Sequence, residues 1–183
     1  LIEQIQRQLL TTPSELDTTT ETSLKEKIYE VTFYKPVKYI VWAIKNEGTP
    51  GSNKGQGPCY FTSQTTHNLY GSDGAEGYVS LNINGQYYFK NTSMVYFTRI
   101  YPSQYGSIPS LDRIGIYSFA SNPFDHSPSG YLDFTDVKHT QLTFKFANNT
   151  RTSIVSKDLL VYAVNYNILS INNKSVTLMF RGS

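Results

Sequence analysis

The residues of this chain that could do chemistry are three histidines, one cysteine and an Asp-His-Ser triplet. Asp125-His126-Ser127 carries the side-chain types of a hydrolytic relay. Sequence neighbours cannot build that relay, because acid, base and nucleophile must converge from different elements. The chain also lacks a G-x-S-x-G nucleophile turn. His67 falls in a polar loop, His126 in a proline-rich corner and His139 just ahead of a strand. No two of them have metal-pair spacing, so each reads as a loop or surface imidazole. A cupin-like or hydrolytic enzyme would need several converging histidines and a carboxylate, and the dispersal argues against it. Cys59 stands alone, which excludes an internal disulfide framework and a cysteine zinc site and fits a reducing compartment. The loop Gly48–Gly57 is glycine-rich without the G-x-x-x-x-G-K-[ST] pattern, so no phosphate cradle is expected. Sequons begin at Asn91, Asn148 and Asn173. In a chain rich in Asn, Ser and Thr such triplets arise by chance. No catalytic, cofactor or metal residue is assigned, and the protein is not expected to be an enzyme.

The elements that would position these residues are mostly strands. Leu1, Ile2, Ile5 and Leu9 lie near the spacing of one helical face and predict a short N-terminal helix. Thr11–Thr22 reads as an exposed loop. Ile28–Phe33 alternates, and Val37–Ile44 is the most apolar run, a strand buried on both faces. Asn46–Pro58 is loop by its glycines and prolines, and loop continues to Gly77. Tyr78–Ile83 and Gln86–Lys90 flank Asn84-Gly85, a two-residue hairpin turn in which both positions tolerate positive φ. Met94–Tyr101 fits an apolar strand or a short helix. Ile116–Phe119 is a strand, and Asn122-Pro123 and Ser127-Pro128 stop it, because proline lacks an N–H and biases its predecessor away from helix. Ser129-Gly130 then leads into Tyr131–Thr135. Gln141–Phe146, Leu159–Ile168 and Val176–Phe180 complete about nine strand candidates, which argue a sandwich or jelly roll.

The composition agrees. Of 183 residues, 14% are aromatic and only 16% charged, a balance that suits wide β-faces joined by loops. That length is enough to bury a core as one domain. A net charge of +2, from scattered basic residues, gives no reason to expect nucleic acid or an anionic membrane as partner. No apolar run approaches the ~18 residues of a membrane span. The chain begins LIEQIQRQLL, without methionine or a signal peptide, and is expected to be a fragment or a processed product.

Five segments in colinear order resemble the major capsid proteins of large nucleocytoplasmic DNA viruses. They are LIEQIQ, KPVKYIVWAIKN (Lys35 standing where the family usually has histidine), LNINGQYYF with the tyrosine-rich stretch to YPSQYGSIP, IYSFASNPFDHSPSG, and LLVYAVNYNILSINNKSVTLMF. Asn172-Asn173-Lys174 stands where the family has a glycine turn, and Arg181-Gly182-Ser183 departs from its small-aromatic end. The resemblance implies an antiparallel eight-stranded jelly roll, the second of two in tandem. Residues 1–27 would be helix and loop leading in, and 28–183 the C-terminal jelly-roll domain. The barrel is expected to lack its first strands, which would lie elsewhere on the same polypeptide, since an incomplete barrel leaves edges unpaired.

The resemblance further implies a structural virion protein. Three copies would form a pseudo-hexagonal capsomer of an icosahedral shell, in contact with neighbouring capsomers and minor capsid proteins and without direct nucleic-acid contact. Barrel packing is assigned to Val41, Trp42, Ile44, Phe119, Phe144, Phe146, Val161 and Tyr162. Asn122, Pro123, Pro128, Ser129 and Gly130 form the structural corner, and Asn84 and Gly85 the hairpin turn. Tyr87, Tyr88, Tyr101 and Tyr105 are candidate exposed aromatics for an assembly interface or a sugar platform. The alternative reading is a jelly-roll carbohydrate- or receptor-binding module, which would show Asp, Asn and aromatic side chains around one pocket, with or without calcium.

Overall fold

The computed structural model describes residues 1–11, 25–46, 77–106, 114–146, 157–172 and 175–179. Its strands are β1 (Ile2–Thr11), β2 (Lys25–Glu30), β3 (Pro36–Asn46), β4 (Tyr78–Ile83), β5 (Gln86–Ser93), β6 (Ile114–Ser118), β7 (Leu132–Asp133), β8 (Thr140–Phe146), β9 (Lys157–Asn167), β10 (Leu169–Asn172) and β11 (Ser175–Leu178). One sheet runs β1-β9-β3-β6, with β7 also pairing β3; a second runs β2-β8-β4-β5; β10 and β11 form a separate hairpin. All pairings are antiparallel. Consecutive strands that alternate between two facing sheets make a jelly roll.

The inner faces pack together as one core. Val37, Ile40 and Trp42 from β3 and Leu159, Val161 and Ala163 from β9 meet Tyr29, Val79, Leu81, Ile83, Leu142 and Phe144 of the second sheet. The positions follow the two-residue period of their strands, except that the register shift between Val37 and Tyr39 puts Val37 on the same face as Ile40 and Trp42. Burying one such side chain contributes about 1.5–3 kcal/mol, so the core dominates the favourable side of folding. A short helical segment, a π-turn Tyr96–Ile100 continued by Tyr101–Ser103, closes one end with Phe97 buried. Pro102 is buried in that last turn.

Residues 1–10 are not a helix. They are the edge strand β1, paired residue by residue with β9 from Ile2↔Asn167 to Thr11↔Asp158. Leu1, Ile5 and Leu9 are four apart, a spacing that puts side chains on one face of a strand as well as a helix. A lone helix of this length is marginal in water, and the ladder with β9 satisfies the backbone instead. The stretch expected to precede a barrel lacking its first strands is therefore a strand of that barrel.

Candidate functional site

The corner after β6 closes on itself before it touches anything else. Asn122 N–H donates to Ser129 Oγ (2.9 Å), Ser129 Oγ–H donates to the Asn122 carbonyl (3.0 Å), and Ser121 N–H donates to the Ser129 carbonyl. Gly130 sits at φ 133°, and a Cβ there would press on the Phe119 carbonyl at 3.2 Å and Ala120 Cα at 3.3 Å. Only glycine fits this turn without strain. Pro123 is buried and Pro128 exposed. Within the triplet, Asp125 Oδ1 accepts from the Ser127 N–H at 3.1 Å, a local Asx-type turn rather than a relay. His126 is exposed.

The closed corner is pinned to the first sheet by a buried lysine. Lys38 lies next to a register shift between Val37 and Tyr39 in β3, and only 1% of it is exposed. Its Nζ donates to Glu3 Oε1 of β1 at 2.5 Å and to the Asp125 carbonyl of the corner at 2.5 Å, and it lies 5.3 Å from the centre of the Tyr166 ring in β9. Burial alone pulls the ammonium down. The hydrogen bond and attraction of Glu3, with a contribution from Tyr166, outweigh it and hold Lys38 above the ordinary lysine value. Phe124 adds an apolar contact, its ring 6.1 Å from Tyr39 and 6.2 Å from Tyr105. One cation thus joins the N-terminal strand, the corner and the last strand of the sheet.

The same end of the sheet carries a row of glutamines. Gln6 and Gln8 of β1 clamp the chain that leaves β2. Gln6 Oε1 and Gln8 Oε1 accept the N–H groups of Tyr34 and Thr32 at 3.0 Å, while their Nε2 groups donate to the carbonyls of the same two residues. These side chains do the work of a strand partner and tie β1 of one sheet to the continuation of the other. Lys35 follows at φ 72°, where the chain turns away into β3.

At the other end the filling is aromatic. Trp42 is fully buried against Phe89 and Phe97, and Phe89 and Phe97 contact Tyr117. Gly115 pairs Trp42 across β3 and β6, and any Cβ there would collide with the indole. Tyr101 Oη donates to the Ser118 carbonyl and accepts from the Ser118 N–H, while Tyr105 Oη donates to Tyr101. Burial, reinforced by Tyr105, pushes the Tyr101 phenol well up. Tyr101 and Tyr105 are thus partly buried ring partners, whereas Tyr87 and Tyr88 are 49% and 41% exposed.

Of the residues assigned to packing, Trp42, Phe144 and Val161 sit in the core, and Phe119 packs against it. Val41 and Tyr162 pair with each other on the outer face and are only partly buried, because their neighbours Trp42 and Val161 take the inner side of the pleat. Ile44 and Phe146 lie in β3 and β8, with side chains outside the described set. Asn84 and Gly85 make the hairpin turn with φ of 50° and 86°. Asn84 Oδ1 also accepts the N–H groups of Lys138 and His139, which fastens the turn to the chain entering β8. His139 is exposed; His67, Cys59, the loop Gly48–Gly57 and the sequons at Asn148 and Asn173 lie outside the described residues. Asn91 is exposed in β5. Among the described residues no cluster of His, Cys, Asp or Glu could hold a metal ion, and no helix is long and apolar enough to cross a membrane.

Lys38, Glu3, the glutamines and Asn165 escaped the sequence reading. Two signals pointed to them: a lysine inside the most apolar run, and glutamines at 4, 6 and 8, which is the period of a strand.

Two facing antiparallel sheets in the order β1-β9-β3-β6 and β2-β8-β4-β5, with a self-closed proline corner, define a jelly-roll protein. The profile of the family described as "Large eukaryotic DNA virus major capsid protein" matches residues 1–177. The chain belongs to that family. It is 35% identical over 91 residues to the major capsid protein of Phaeocystis pouchetii virus, covering 50% of this chain and 18% of that one. It is 29% identical to the major capsid protein of Paramecium bursaria Chlorella virus 1, covering 93% of this chain and 46% of that one. The fold matches a chain of the PBCV-1 virus capsid with a TM-score of 0.69 at 23% identity, over 98% of this chain and 51% of that chain. It matches the Faustovirus major capsid protein with a TM-score of 0.55 at 14% identity, over 89% of this chain and 32% of that chain. The chain thus spans less than half of these curated relatives.

Proposed function

We propose that this chain is a shell-building jelly roll of a virion, part of a major capsid protein whose copies associate as trimers into pseudo-hexagonal capsomers of an icosahedral capsid. Neighbouring capsomers and minor capsid proteins are its further partners, and its work is mechanical rather than catalytic. The observation that carries this reading is the family match over residues 1–177, on a fold whose two sheets have jelly-roll strand order.

The physical properties suit that role. Two sheets sharing one aromatic core resist bending, and the corner and hairpin turn are each fastened by side-chain hydrogen bonds to distant segments. The surface also keeps large apolar groups in water: Leu1, Ile5 and Leu9 of β1 are 61%, 70% and 49% exposed, and Ile171, Val176 and Met179 are 71%, 65% and 65% exposed. Ile171 and Val176 are cross-strand partners on one face of the β10–β11 hairpin. Obligate assemblies bury apolar surface of this kind.

The test is native mass spectrometry and electron microscopy of the full-length protein. Stable trimers with a pseudo-sixfold outline are expected. A monomer that carries a bound glycan or metal would sink the reading in favour of a binding module.

A further inference from the structure

The glutamine row on β1 has a third member whose peptide partner is missing among the described residues. Gln4, Gln6 and Gln8 share the face of β1 that looks between the sheets. Gln6 and Gln8 each grip the N–H and carbonyl of one residue, Tyr34 and Thr32, as described above. Opposite Gln4 the chain has turned away at Lys35, and among the described residues a cleft of about 360 Å³ remains, lined by Gln4, Ile5, Gln6, Tyr34, Lys35 and Asn165.

The cleft is chemically specific. Asn165 is 1% exposed and is the cross-strand partner of Gln4. Its Nδ2 donates weakly to the Tyr166 carbonyl at 3.4 Å, but its Oδ1 is buried without a hydrogen-bond partner. A buried acceptor left unsatisfied costs about 1–3 kcal/mol, so such a group calls for a donor. Gln4 Oε1 is used by Asn167 Nδ2 at 2.7 Å, and Gln4 Nε2 has no partner among the described residues. One orphan acceptor beside one donor is the complement of one residue of extended main chain, whose N–H and carbonyl point to the same side. Two such residues, Thr32 and Tyr34, are already held by the same residue type on the same strand.

We propose that this cleft receives an extended main-chain segment of a neighbouring capsid polypeptide, its peptide N–H donated to Asn165 Oδ1 and its carbonyl accepting from Gln4 Nε2. The Lys35 ammonium supplies a further donor to carbonyls of that segment, and Tyr34, 46% exposed, a surface for it to lie against. The choice of a neighbouring capsid copy rests on the capsid reading above. The choice of main chain rests on Gln6 and Gln8.

The experiment places p-benzoylphenylalanine at position 34 of the full-length protein, irradiates assembled particles and maps the products by mass spectrometry. A cross-link from position 34 to a peptide of another copy is expected. Gln4→Ala and Asn165→Leu should each reduce its yield at least tenfold while particle mass stays unchanged. Gln4 is only partly buried, so its variant tests the site even if Asn165→Leu misfolds. Assembled particles that give no intermolecular product, products within one chain only, or an adduct to an acetamido sugar instead of a peptide would each overturn the proposal while leaving the capsid reading intact. A protein that forms no particles defeats the capsid reading, and the proposal with it.

Discussion

Around Trp42 the space between the sheets is filled by rings; around Asn165 it is crossed by amides, with one buried cation on the other face of the same sheet. The two regions share β3 and β9 and lie a few residues apart along them. At the aromatic end, position is set by volume: Trp42, Phe89, Phe97 and Tyr117 occupy the space, and Gly115 is glycine because the indole is there. At the amide end, position is set by direction. Gln6, Gln8 and Lys38 hold particular backbone atoms of particular segments, and the space beyond them stays open. Shape filling gives stiffness without discrimination, whereas directed hydrogen bonds decide which segment may sit where. This barrel puts the two at different places.

Substitutions should separate the two. Trp42→Ala is expected to have the largest effect, a loss of about 3–5 kcal/mol in urea denaturation, because it opens a large cavity in a rigid region. Gly115→Ala should follow at about 1–3 kcal/mol by overpacking the same indole. If Gly115→Ala were neutral, the aromatic end would be looser than the geometry says. Lys38→Met should cost well under the ~3–5 kcal/mol of a fully buried broken pair, since Glu3 is 34% exposed and can rehydrate. Its signature is local: amide exchange in residues 121–129 should accelerate about tenfold or more, with little change around Trp42. Gln8→Ala should cost about 1 kcal/mol and raise exchange at Thr32 alone.

A titration sharpens the contrast further. Lys38 has a folded value above its ordinary 10.5. Its contribution is therefore whole below that value and fades only as pH rises through the higher folded one. The corner should stay closed across neutral pH and loosen in alkali, and this loosening should be absent in Lys38→Met when exchange is followed in both proteins.

The aromatic end was legible in the sequence because its code is repetitive. Alternating Val, Phe and Trp announce a buried pleat, Asn84-Gly85 announces a tight turn, and the paired prolines announce a corner. The amide end was not, because its meaning depends on partners 24 to 163 residues away. Gln4, Gln6 and Gln8 look like solvated polar residues until Thr32 and Tyr34 arrive. The same stretch misled the helix expectation, since Leu1, Ile5 and Leu9 satisfy both periods and only the pairing with β9 decides between them. Lys38 had the same difficulty: nothing local to it shows that Glu3 and the Asp125 carbonyl will meet it.

The pairing of β1 with β9 has a consequence in time. Ile2 waits for Asn167, and Thr11 for Asp158, so the longest ladder of the first sheet joins that sheet's first and last strands in the sequence. Contacts of such long range make for slow closure. At about 5–20 residues per second, a ribosome needs on the order of ten seconds to deliver β9 after β1 has emerged. For that interval Ile5 and Leu9 ride on an unpaired strand. The growing chain, more than the finished barrel, is where that strand stands open to pairing with another copy.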